Sequence, residues 1–148
     1  MPSSNLRRGR HCAAGHVYLL TSNTLGREPI FRDWRTGRLL VHELRRAQAD
    51  GRVKSLAWVI MPDHLHWLVQ LEAGTLSALI RRVKSRSTLV INHHLNRSGP
   101  LWQKNFHDRA IRQDQDLKSV ARYVLANPLR GGLVERLADY PLWDATWL

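Results

Sequence analysis

Two β-type runs, residues 53–60 and 64–71, are separated only by Met61-Pro62-Asp63, and this spacing constrains the chain more than any other feature. A three-residue link joins strands that lie side by side and antiparallel, so the centre of the sequence reads as a hairpin. Side chains alternate across a strand. His64, His66, Leu68 and Gln70 therefore share one face, and Leu65, Trp67, Val69 and Leu71 share the other. The second set is apolar throughout and marks the core side. The first set carries two imidazoles that need another explanation.

The flanking segments suggest what the hairpin packs against. Residues 16–22 hold the β-prone run Val17, Tyr18, Leu19, Leu20 ahead of turn signals. Between 33 and 50, Trp34, Leu40, Val41, Leu44 and Ala47 recur at helical steps, with Asp33 as cap and Gly51 as stop, so a helix is expected despite Gly37. Leu76, Leu79, Ile80, Val83, Val90, Ile91 and Leu95 mark a second helix behind Thr75, ended by Asn96-Arg97-Ser98-Gly99-Pro100. Residues 106–111 read as a further strand. A third helix runs from Asp114 to about Ala126 and stops where Asn127 meets Pro128.

The order β-α-β-β-α-β-α is that of an α+β protein built on a ferredoxin-like split βαβ antiparallel sheet, with helices packed mainly on one face and the other face open. No repeat, low-complexity tract or linker divides the chain, so residues 1–148 are expected to form a single domain, with 1–12 and 139–148 the loosely held parts. A hydrophobic fraction of 43% supports a sizeable core and argues against a disordered basic tail.

Charge and cysteine usage narrow the function classes. The chain carries 23 Lys+Arg against 12 Asp+Glu, a formal net charge of +11, which points to nucleic acid or another anionic partner. The one cysteine, Cys12, excludes an intrachain disulfide framework or a multi-thiolate site and fits a cytoplasmic protein. No apolar run approaches the ~18 residues of a membrane span, so no membrane partner is expected. Residues 73–107 hold six basic side chains (Arg81, Arg82, Lys84, Arg86, Arg97, Lys104) and no acid.

Two imidazoles at i and i+2 on one strand project together and suit adjacent positions on a metal ion. The bland alternative is a pair of surface histidines. His93 and His94 diverge on a helix, while His11, His16, His42 and His107 lack a partner at ligand spacing. His107 stays open because it follows Trp102-Gln103-Lys104-Asn105, a stretch suited to nucleic-acid contact. Of three tyrosines, Tyr18 and Tyr140 fit core positions. Tyr123 precedes Asn127 by four residues, so phenol and amide share a helix face. Phenol, amide and both imidazoles converge only if that helix packs across the open face of the hairpin.

Three ordered blocks, residues 58–69 (Trp-Val-Ile-Met-Pro-Asp-His-Leu-His-Trp-Leu-Val), 99–109 (Gly-Pro-Leu-Trp-Gln-Lys-Asn-Phe-His-Asp-Arg) and 123–134 (Tyr-Val-Leu-Ala-Asn-Pro-Leu-Arg-Gly-Gly-Leu-Val), closely resemble the REP-associated tyrosine transposases, which belong to the single-tyrosine HUH nucleases. The likeness runs from about residue 16 to about 143. It implies a ferredoxin-like fold and a metal-dependent single-stranded DNA endonuclease and strand transferase. Such an enzyme nicks next to a DNA hairpin, a REP-like palindrome, through a covalent 5′-phosphotyrosine intermediate. By the same resemblance Tyr123 is the nucleophile, and His64, His66 and Asn127 hold the metal. Two imidazoles, an amide and phosphate oxygens suit Mg²⁺ or Mn²⁺, with Zn²⁺ a chemical alternative.

A free tyrosine titrates near pH 10, so a phosphate-polarising cation would assist the phenol. Arg81, Arg82, Lys84, Arg86, Lys104 and Arg109 would meet DNA phosphates, and Trp102 would stack on an unpaired base. The resemblance leaves a monomer or a homodimer that exchanges the tyrosine helix. Two other readings compete: a non-catalytic basic nucleic-acid-binding module on the same sheet, and a metallohydrolase that does not need Tyr123.

Overall fold

A computed structural model of the chain describes residues 15–112 and 116–146. His11, Cys12 and the start of the third helix at Asp114 lie outside the described residues. Among the described residues five strands form one antiparallel sheet: β1 (Val17–Asn23), β2 (Val53–Met61), β3 (His64–Leu71), β4 (His107–Ile111) and β5 (Trp143–Ala145). Their spatial order is β4-β1-β3-β2-β5. The first four positions are the ferredoxin-like arrangement, and β5 adds an edge beyond β2. The α-helices among the described residues are α1 (Trp34–Ala49), α2 (Leu76–Leu95), α3 (Leu117–Leu125) and the single turn α4 (Asn127–Arg130).

The helices begin where their caps dictate. The Asp33 carboxylate accepts the Arg35 backbone N–H, and Thr75 Oγ1 accepts that of Ala78, each satisfying a donor that the first turn leaves unpaired. Asn96 closes α2 in the left-handed conformation at φ 51°. Before α3, Asp116 accepts from the Lys118 N–H.

Register assigns each side chain to a face, because directly paired residues point the same way. Thr21, His66 and Val59 form one row across β1, β3 and β2, and Asn23, His64 and Met61 form the next. His107 extends the first row onto β4, and Arg109 lies in the row of Leu19 and Leu68. The opposite face carries Tyr18, Leu20, Trp58, Ile60, Leu65, Trp67, Val69 and Leu71, all buried. It forms the main core with Leu40, Val41 and Leu44 of α1 and Leu76, Leu79 and Val83 of α2. Burying each such side chain contributes about 1.5–3 kcal/mol of transfer free energy. A bulge at Leu56 lets β2 pass from Ser55 opposite Val69 to Ala57 opposite Leu68.

The histidine-bearing face is half covered. α3 packs against β2, burying Ala121, Val124 and Leu125, and a Cβ built on Gly131 would sit 3.4 Å from Met61 Cε. Leu68, in the same row set as the imidazoles, is fully buried.

The C-terminal segment departs from expectation. Residues 139–146 are anchored, not loosely held: the Tyr140 hydroxyl donates to the Ile60 carbonyl, Leu142 is buried, and β5 pairs with β2. Leu142 also explains Gly37 within α1, since a Cβ there would run into the Leu142 side chain. Helix propensity is given up at that position to let the returning chain reach the core.

Candidate active site

The hairpin turn that carries His64 is held from outside by the segment after β1. Thr24 N–H and Oγ1 both donate to the Asp63 carbonyl, at 2.9 and 3.1 Å. The Phe31 N–H donates to the Pro62 carbonyl at 2.9 Å. A short link would otherwise leave its own backbone carbonyls to water; here they fix the turn.

Both imidazoles are oriented through Nδ1. His64 Nδ1–H donates to Asp63 Oδ1 at 2.7 Å, and Arg27 Nε–H donates to Asp63 Oδ2 at 2.9 Å. Arg27 reaches this position from a left-handed backbone, φ 56°. Burial acts to raise the Asp63 carboxyl, but the hydrogen bonds and charges of His64 and Arg27 outweigh it and hold the group below the usual carboxylate range. His66 Nδ1 lies 3.0 Å from Thr21 Oγ1. A hydroxyl accepts as readily as it donates, so both rings can carry their proton on Nδ1 and leave the Nε2 lone pairs open. The ring centroids stand 4.8 Å apart, edge to face. His66 is neutral at neutral pH, because burial first, then the charges of His64 and Arg130, push its pKa down to about 4.

Tyr123 and Asn127 come from the C-terminal end of α3 and the start of α4. Tyr123 is 67% exposed, so its phenol is open to a substrate. Asn127 is half-buried, and its Nδ2 donates to the Val124 carbonyl at 2.6 Å, which leaves the amide oxygen as an acceptor. Arg130 is folded over Tyr123. Its guanidinium lies 4.2 Å from the Tyr123 ring centroid, Nη1 donates to the Tyr123 carbonyl at 2.8 Å, and its charge acts on His66.

The donor set fits a divalent ion in chemistry: two imidazole nitrogens freed by Nδ1 partners, and an amide oxygen freed by its Nδ2 bond. Among the described residues no three His, Cys, Asp or Glu side chains gather as a metal cage. The remaining oxygens would have to come from an amide, a substrate phosphate and water.

The basic residues of the sequence reading have separate fates. Arg82 Nη2 pairs with Asp50 at 3.2 Å, and Arg86 Nε pairs with the buried Glu43 at 3.0 Å. Lys84 Nζ donates to the Gln103 and Asn105 carbonyls, clamping the connection into β4. Arg81, Lys104 and Arg109 are exposed, and only Arg109 shares the histidine-bearing face. Trp102 is not available for base stacking. It is buried, donates Nε1–H to Ser87 Oγ at 3.0 Å and packs on Phe31 with centroids 5.6 Å apart. His16, His42, His93, His94 and His107 are exposed.

Sequence reasoning missed Asp63, Arg27, Thr21 and Arg130. Asp63 had a signal in its adjacency to His64. Thr21 is set by the β1–β3 register, which no local pattern reveals.

Comparison with known proteins adds a family. The model of the family described as transposase IS200 like matches residues 14–127. A REP-associated tyrosine transposase of Escherichia coli (strain K12) is 29% identical over 105 residues, covering 70% of this chain and 61% of the relative. A Haemophilus influenzae relative, provisionally given the same name, is 31% identical over 99 residues, covering 60% of this chain and 56% of that one. The chain thus spans about three fifths of the length of these curated relatives. Among solved structures, a REP-associated tyrosine transposase bound to a REP hairpin superposes with a TM-score of 0.73 at 25% identity, covering 90% of this chain and 79% of the other.

Proposed function

The chain belongs to the IS200-like transposase family, and from that premise we propose that it cuts and rejoins single-stranded DNA beside a hairpin, with Tyr123 as nucleophile. The observation that supports this reading is the pair of imidazoles on β3, each with Nδ1 engaged by a neighbour and so with Nε2 open, together with a Tyr123 phenol that is exposed four residues before Asn127. Tyr123 is exposed, unlike Tyr18 and Tyr140, which belong to the core.

The chemistry is a transesterification. The Tyr123 oxygen forms a bond to phosphorus, and the bond from phosphorus to the 3′-oxygen breaks. Its electron pair leaves on that oxygen, which takes a proton to become a free 3′-hydroxyl; the phenolic proton goes to solvent. The 5′-phosphotyrosine keeps the bond energy, so attack by a 3′-hydroxyl can reverse the step without a nucleotide cofactor. His64 Nε2, His66 Nε2 and Asn127 Oδ1 would hold Mg²⁺ or Mn²⁺, which supplies polarisation of the phosphate and stabilisation of the developing charge. Asp63 and Thr21 orient the imidazoles, and the neutrality of His66 keeps its lone pair available. The DNA partner of the neighbouring structure, a REP hairpin, supports a hairpin as the substrate class, with exposed Arg81, Lys104 and Arg109 as candidate phosphate contacts. Both oligomeric arrangements are compatible with a tyrosine meeting histidines of its own chain or of a second copy.

The test is a denaturing gel. Hairpin-bearing single-stranded DNA incubated with the protein and Mn²⁺ should yield a covalent adduct that Tyr123→Phe abolishes. A gel shift without an adduct would support the binding module, and cleavage that survives Tyr123→Phe would support the metallohydrolase.

A further inference from the structure

Among the described residues several arginines are paired with carboxylates. Arg27 pairs with Asp63, Arg82 with Asp50, Arg86 with Glu43 and Arg97 with Glu28. Arg130 differs: among the described residues no carboxylate faces it, although it stands beside the candidate nucleophile. Its side chain is committed to Tyr123 twice, by the guanidinium over the ring at 4.2 Å and by the Nη1 donation to the Tyr123 carbonyl at 2.8 Å. A guanidinium carries five N–H donors in a planar fork that matches phosphate oxygens. Among the described residues, the one bond from Nη1 leaves Nε and Nη2 without a hydrogen-bond partner.

Backbone context makes the arrangement stiff. Pro128 follows Asn127 in the first turn of α4, and the Arg130 N–H donates to the Ala126 carbonyl while Gly131 N–H donates to that of Asn127. The turn that carries Asn127 therefore also carries Arg130, and both are referenced to the sheet where Gly131 meets Met61.

We propose that Arg130 is a positioning and phosphate-binding residue of the transesterification: it holds the Tyr123 ring from one side and presents its remaining donors to a non-bridging oxygen of the scissile phosphate. This rests on the function proposed above. In that step the Tyr123 oxygen bonds to phosphorus as the 3′-oxygen departs, and the phosphoryl oxygens gain charge that a fixed guanidinium stabilises.

The experiment measures the rate of covalent adduct formation on hairpin-bearing single-stranded DNA with Mn²⁺, alongside DNA affinity and thermal stability. Arg130 is exposed, so Arg130→Ala should fold. It should slow adduct formation by ~100-fold, the scale of losing a preorganised transition-state donor, while affinity changes only a few-fold. Guanidinium ion added in solution should restore part of the lost rate in Arg130→Ala and leave the unsubstituted protein unchanged, which a purely structural role would not produce. Arg130→Lys, keeping charge without the planar fork, should fall between. An Arg130→Ala protein that forms adduct at the original rate, or whose loss tracks unfolding and is not rescued, overturns the inference alone. Absence of adduct with the unsubstituted protein overturns the proposed function and this inference with it.

Discussion

Asp63 is the residue whose removal separates an oriented metal-binding pair from two adjacent surface histidines. Its carboxylate accepts from His64 Nδ1 at 2.7 Å and from Arg27 Nε at 2.9 Å. Replacing it by alanine deletes both bonds, frees the His64 ring to rotate and permits the tautomer with the proton on Nε2, where it would block a metal. Loss of such an outer partner typically weakens metal binding about 10–100-fold, or about 1.4–2.7 kcal/mol. The effect on folding is separable. The Arg27 side chain is 52% exposed, so that ion pair contributes below about 1 kcal/mol, and the bond to a half-buried imidazole adds about 1 kcal/mol. The assay is Mn²⁺ titration followed by the electron paramagnetic resonance of free ion, with urea denaturation in parallel. Asp63→Ala should shift the Mn²⁺ midpoint by the stated factor, and Arg27→Ala should shift it less than about threefold. A midpoint for Asp63→Ala within about twofold of the unsubstituted protein, with the fold intact, refutes the argument that this carboxylate sets the ligand geometry.

Three further outcomes follow from the packing. Gly37→Ala should destabilise by about 1–3 kcal/mol through overpacking against Leu142, although alanine is the better helix former; a rise in the urea midpoint would contradict the placement of Leu142. Trp102→Ala should cost about 3–5 kcal/mol as a core truncation and leave the DNA affinity of the remaining folded protein unchanged; a selective loss of DNA binding at full stability would return Trp102 to the interface. Burial pushes the Tyr140 phenol up to about 12. The unfolded chain therefore loses this proton first on raising the pH, so the contribution is whole below about pH 10 and is lost as pH rises from there through about 12. Urea midpoints of the unsubstituted protein should fall over that range, and Tyr140→Phe, weaker at neutral pH for want of the Ile60 bond, should lack this component of the fall.

The hairpin and the capped helices were legible because their signals are local. Alternation identified β3 at its observed bounds, and Asp33 and Thr75 act as caps in the structure as their sequence positions suggested. The strand order agrees with the split βαβ reading because that order follows from short connections and crossover helices. Partnerships between distant segments were not legible. β5 has only three residues, too few for a period, and exists because β2 offers an edge and Leu142 finds the gap above Gly37. Trp102 looked like a stacking platform beside Lys104, yet its indole N–H is satisfied by Ser87, fifteen residues earlier. The basic run of α2 read as a field, but Arg82 and Arg86 meet acids on α1 or just beyond its end. Sequence spacing put Tyr123 and Asn127 on one helix face; Arg130, seven residues after Tyr123, joined them only once α4 turned back.

The most direct measurement is to trap the protein on hairpin-bearing single-stranded DNA with Mn²⁺, digest protein and DNA, and locate the retained nucleotide by mass spectrometry. The account predicts one modified peptide, with a 5′-linked nucleotide on Tyr123. A trapped nucleotide on any other residue, or cleaved DNA with no nucleotide on the protein, would contradict it.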